Sequence, residues 1–121
     1  GWLNWHAHLR LDTPLSPAQV VGPFVDGLDS ELTSARIGIA HLKVFAESRT
    51  GYVKASVCRN GEEPSVHGIL LAEAAREHDV VLNLRAMASP EALREAVDRV
   101  VARLPGRARV SQYQAFRPVP K

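Results

Sequence analysis

The sequence predicts an α+β domain with two helices packed on one face of a mixed, mainly antiparallel sheet. Three observations predict it. Residues 3–11 alternate strictly between apolar and polar, two Ser-Pro helix starts (Ser16-Pro17 and Ser89-Pro90) each follow an alternating segment, and two apolar runs between them are joined by only five residues.

In the first strand Leu3, Trp5, Ala7, Leu9 and Leu11 are apolar while Asn4, His6, His8 and Arg10 are polar. A period of two is that of a strand with one buried face. Asp12-Thr13-Pro14-Leu15 turns the chain, and Ser16-Pro17-Ala18-Gln19 offers a serine N-cap, a proline at the first helical position and a glutamine at the capping-box position. Val21, Phe24, Val25, Leu28 and Leu32 continue at helical spacing to a predicted end near Ser34, and Gly22-Pro23 is expected to distort the first turns. Ile37 to Ala46 and Tyr52 to Cys58 are then two strands of a β-hairpin, joined by Glu47-Ser48-Arg49-Thr50-Gly51.

Asn60-Gly61, two glutamates and Pro64 end that hairpin, and residues 65–79 are ambiguous, with Ala72 to His78 readable as a short helix or a loop. Val80 to Met87 alternates again, with Val80, Leu82, Leu84 and Ala86 on one face and Asn83 and Arg85 on the other. Ser89-Pro90-Glu91 opens the second helix, whose apolar stripe runs Leu93, Ala96, Val97, Val100, Val101, Leu104 until Pro105-Gly106 stops it. A last strand covers Ala108 to Phe116, ahead of Pro118 and Pro120. Two strand-helix units bracketing a hairpin make a ferredoxin-like split βαβ arrangement with one added strand.

The length of 121 residues suits one domain, able to bury about 65–70% of its unfolded surface. With 45% apolar and 23% charged residues, the chain belongs to the ordinary globular class. The longest apolar stretches are a few residues, too short to span a bilayer, so no membrane partner is expected. A lone Cys58 and the lack of a basic-then-apolar leader favour a cytoplasmic setting. Gly1 in place of Met, followed at once by structured sequence, suggests the remnant of an expression tag on a domain excised from a longer protein. A net charge of +2 is too small to imply nucleic acid, although the tail holds Arg107, Arg109, Arg117 and Lys121 with no acid.

Two helices cover only one face of such a sheet, so the outward strand positions should gather on the other. They are Arg10, His6 and His8; His41 and Lys43; Lys54, Ser56 and Cys58; Asn83 and Arg85. With no carboxylate at matching positions, this face is expected to be basic and polar, able to bind a small anion or an acidic protein surface. His6 and His8 project the same way and suggest a metal site for zinc or cobalt, to which His41 and Cys58 would have to converge. Charged residues also commonly blunt exposed sheets without binding anything. Nucleic-acid binding is disfavoured by the scarcity of aromatic residues there, Tyr52 being the main one. Trp2 and Trp5 serve either the core or a docking surface. Neither a Gly-x-Ser-x-Gly elbow nor a phosphate-cradling Gly-rich loop occurs, so no catalytic group is assigned.

The strings Ala40-His41-Leu42-Lys43, Gly51-Tyr52-Val53-Lys54-Ala55-Ser56 and Asn83-Leu84-Arg85-Ala86, the last followed by Pro90-Glu91-Ala92-Leu93, resemble the C-terminal region of CobW-like GTPases. Such proteins pair a P-loop GTPase domain with a smaller α+β domain, and several handle metals such as zinc or cobalt. The family's nucleotide loop and Cys-rich metal motif have no counterpart in this chain, so the resemblance implies a non-catalytic accessory domain. Its partner would be the GTPase domain of the parent chain, and GTP would bind only there. His41, Lys43, Asn83 and Arg85 are the positions the resemblance singles out. The alternatives are a stand-alone metal-binding module using the strand histidines, or a small ferredoxin-like homodimer that binds a ligand between subunits.

Overall fold

The opening alternation builds β1, Trp2–Leu15, the longest strand of this computed structural model, which describes residues 1–119. Leu3, Trp5, Ala7, Leu9 and Leu11 are all buried, as the period of two requires. The strand outruns the predicted turn at residues 12–15 because Leu15 still pairs with Ala75, beyond a register shift that absorbs the irregular residues after Arg10.

Helix α1, Pro17–Ser34, starts on the predicted capping box: the Gln19 N–H donates to Ser16 Oγ and the Ser16 N–H to Gln19 Oε1 (2.9 Å). It continues as one helix through Gly22-Pro23 to Ser34. Pro23 lies on the solvent side, where the carbonyl it leaves without a donor is accessible to water. At its far end Arg36 adopts a left-handed φ of 58°, the Arg36 N–H donates to the Thr33 carbonyl, and the Ile37 N–H donates to Leu32. This is a Schellman closure, sealed by the buried side chains of Leu32 and Ile37.

Strands β2 (Ile39–Ser48) and β3 (Gly51–Val57) form the predicted hairpin on a tighter turn than the five-residue connection expected, since Ser48 pairs with Gly51 and only Arg49-Thr50 remain between. Behind the hairpin, Asn60 anchors the chain: its Oδ1 accepts the Ile39 N–H, and its Nδ2 donates to the Ile37 carbonyl and to Thr33 Oγ1.

The ambiguous stretch contains no helix. It forms β4 (Ser65–Gly68) and the first residues of β5 (Ala75–Ala86). The strand signal was hidden because His78, a polar residue, takes an inward position, 1% exposed, with its Nε2 facing the Leu15 and Ala75 carbonyls. Helix α2, Pro90–Val101, is capped as predicted by Ser89, whose Oγ accepts the Ala92 N–H, and ends three residues before Leu104. Strand β6 runs Gly106–Phe116, so Gly106, expected to stop the helix, instead begins a strand, the helix having ended at Val101. Glycine is required there: a Cβ would collide with the Arg10 carbonyl of β1. Lys121 of the basic tail lies outside the described residues.

The six strands form one open sheet in the order β4-β3-β2-β5-β1-β6. Every neighbouring pair is antiparallel, which corrects the expectation of a mixed sheet: β1 and β2 run the same way but β5 lies between them. The added segment is likewise two strands, β3 and β4, at the edge beyond β2. Helix α1 packs on β2 and β3, and α2 on β1 and β6, so both cover the same face. Trp5 packs against Phe24 with ring centroids 5.6 Å apart, and Leu28, Leu82, Leu84 and Leu93 complete the buried layer. Each such fully buried side chain contributes about 1.5–3 kcal/mol. Among the described residues no helix is long and apolar enough to cross a membrane.

Candidate functional site

The other face of the sheet carries no helix, and the strand register arranges its side chains in rows. The first row reads His41 on β2, Arg85 on β5, Trp2 on β1 and Phe116 on β6. The second reads Ser56, Lys43, Asn83, Asn4 and Gln114 from β3 to β6. Lys54, Phe45, Val81, His6 and Gln112 form the middle row, followed by Tyr52, Glu47, Asp79, His8 and Arg109. Glu77, Arg10 and Arg107 close the face.

The first two rows enclose a cleft of about 380 Å³. His41, Lys43, Asn83 and Arg85, four of the six predicted binding positions, line it together. Trp2, Asn4, Leu84 and Phe116 complete the lining. The Arg85 guanidinium lies 4.1 Å from the Trp2 ring centroid, and Trp2 packs against Phe116 at 6.0 Å. A cation over an indole is held by the ring quadrupole while its N–H groups stay free to donate. Asn83 Nδ2 donates to Asn4 Oδ1 at 2.8 Å, which fixes the cleft floor as neutral amides. His41 Nε2 is buried without a hydrogen-bond partner among the described residues. No carboxylate lines the cleft, and neither Lys43 nor Arg85 takes part in any of the ion pairs formed by the described residues. The arrangement therefore presents two unpaired cations, an imidazole and aromatic walls, the chemistry that receives a carboxylate or another small anion.

The two remaining binding positions lie elsewhere. Lys54 stands in the middle row between Phe45 and His67, and Arg10 stands at the far end between Glu77 and Arg107. That far end overturns the expectation of a uniformly basic face. Glu47, Glu77 and Asp79 lie there, because β2 extends through Ser48 and β5 begins at Ala75. His8 Nδ1 is 3.0 Å from Asp79 Oδ1, and Nε2 is 3.2 Å from Glu77 Oε1. Hydrogen bonds to Asp79 first and Glu77 second raise the His8 pKa above its ordinary value. His6 sits apart, beside Val81 and Gln112, while His41 is on β2 in the opposite end row. Cys58 is exposed, and among the described residues no group of three or more His, Cys, Asp or Glu side chains is placed to hold a metal ion.

Trp2 was legible as an outward residue, since it is out of phase with buried Leu3 and Trp5. Phe116 was not, because its place beside Trp2 depends on a pairing between residues 114 positions apart in sequence. No protein-family model, curated protein or solved structure matches this chain.

Proposed function

We propose that this chain is a non-catalytic binding domain, the accessory domain of a CobW-like GTPase, which docks acidic protein surface through the cleft on its open sheet face. The observation that carries the proposal is the pairing of Lys43 and Arg85 on adjacent strands in a cleft without a carboxylate, with Arg85 stacked on Trp2. Two of the strings that carry the resemblance, around His41-Lys43 and Asn83-Arg85, lie side by side there. The strand order β2-β5-β1-β6 with two interleaved strand-helix-strand units supports a ferredoxin-like reading, with the β3-β4 hairpin as an addition. Any GTP would bind a P-loop domain outside this chain.

The test is titration of the dilute chain with a short polyglutamate peptide, followed by tryptophan emission with Trp2→Phe as the control for the reporting ring. Binding should shift the Trp2 signal, weaken with added salt and fall at least tenfold in Lys43→Ala/Arg85→Ala. No change at millimolar peptide, or GTP hydrolysis by the chain alone, would overturn the reading.

A further inference from the structure

The open face carries opposite charges at its two ends in a pattern that complements itself. Along β2 the outward residues run Lys43, Phe45, Glu47, and along β5, in the opposite chain direction, Arg85, Asn83, Val81, Asp79, Glu77. Register places Phe45 beside Val81, Lys43 beside Asn83 and Glu47 beside Asp79. On each strand, then, a cation and a carboxylate stand equally far on either side of the Phe45–Val81 row. Lys43 and Glu47 are each one outward position from it, and Arg85 and Glu77 each two.

A half-turn about an axis across the strands, lying against that row, brings a second copy face to face and exchanges the two ends. Strand β2 then lies over β2 and β5 over β5, so Lys43 meets Glu47 of the second copy and Arg85 meets Glu77, each twice. Phe45 and Val81 meet their own counterparts as an apolar centre, where Tyr52 already stacks on Phe45 at 5.7 Å. Lys54 and His6, on either side of them in that row, also meet their own counterparts, a like-charge contact at Lys54 that the four opposite-charge pairs must outweigh. On β1 the same operation lays Trp2 over Arg10 of the second copy, an aromatic ring over a guanidinium. A half-turn along the strands leaves the ends unexchanged: with its axis between β2 and β5, Lys43 lies over Asn83 of the second copy, Glu47 lies over Asp79, a like charge that repels, and neither Lys43 nor Arg85 meets a carboxylate. Charge thus selects one orientation of the two.

The isolated chain also leaves charges that this contact would use. Glu47 stands directly across from Asp79, an unfavourable like-charge pair. His8 compensates Asp79, while Glu47 takes part in none of the ion pairs formed by the described residues. Strand spacing and rise give the five rows a footprint of roughly 20 by 27 Å before side-chain relief, of the order of the roughly 800 Å² each partner gives to a standard interface.

We propose that the open sheet face docks a second copy of this chain by the half-turn across the strands, with Lys43 on Glu47 and Arg85 on Glu77 in both directions. The proposal rests on the reading of this face as a docking surface for acidic protein, and it identifies that surface as the far end of the same face.

Sedimentation equilibrium of the chain and its charge reversals tests it. The chain should dimerise, and Lys43→Glu or Glu47→Lys alone should weaken dimerisation at least tenfold by setting like charges together. An equimolar mixture of the two variants should form heterodimers, which also shows that both single variants fold, and the double reversal K43E/E47K should dimerise again. A chain monomeric up to millimolar concentration, or a dimer indifferent to the single reversals, overturns the proposal. Polyglutamate titration at concentrations where the chain is monomeric reports on the cleft separately, so the second-copy proposal can fall while the docking reading stands.

Discussion

Trp2 and Trp5 stand three residues apart on one strand and serve opposite faces of the sheet. Trp5 is 1% exposed and packed on Phe24, whereas Trp2 is 36% exposed and lies under Arg85. The same residue type thus measures two different jobs. On the helix-covered face side chains are chosen for volume, and on the open face for the charge and hydrogen-bonding groups they present. A face whose cations are left unpaired does little for the stability of the isolated chain, which is why stability and binding should separate cleanly between the two.

The largest expected effect lies on the covered face. Trp5→Ala leaves a cavity against Phe24 and should cost about 3–5 kcal/mol in urea unfolding. Trp2→Ala loses the Arg85 and Phe116 contacts only, about 1 kcal/mol, but should abolish polyglutamate binding as read by titration calorimetry, since this variant lacks the emission reporter. Equal destabilisation by the two substitutions would break the comparison. Next comes His8, whose raised pKa means that its bonds to Asp79 and Glu77 stabilise the fold fully below the unfolded-state pKa of about 6.5. That contribution is lost as the pH rises through the higher folded-state value, so His8→Gln should flatten the fall in melting temperature on going from mildly acidic to mildly basic buffer. An unchanged pH profile would show that the His8 bridges do not matter in solution. Lys54→Ala is expected to do least: stability within about 0.5 kcal/mol of the parent, and peptide binding unchanged, because Lys54 lies outside the cleft. Loss of binding in that variant would enlarge the site to the middle row.

Much of the covered face was legible in the sequence. Strict alternation gave the inward residues of β1 and the second half of β5, and Ser16 and Ser89 marked both helix starts to the residue. What failed was local signal of the wrong polarity. His78 sits where a period of two calls for an apolar residue, and β4 is four residues long and exposed throughout, so neither announced a strand. The acidic end of the open face went unseen for the same reason, since Glu77 and Asp79 belong to the stretch that His78 disguised. Individual outward positions such as His41, Lys43, Asn83 and Arg85 were readable from parity. Their convergence was not, because β2 and β5 are joined through pairing between residues about forty apart in sequence.

The place of β1 between β5 and β6 also governs when this chain becomes a structure. Both of its neighbours come from the second half of the sequence, with His8 paired to Asp79 and Trp2 to Phe116. Contacts of such long separation close late and slowly, since the entropy of a long loop must be lost before pairing rewards it. During synthesis β1 emerges first and waits, its Leu3, Trp5 and Leu9 side chains without their native neighbours, until nearly all the chain has followed.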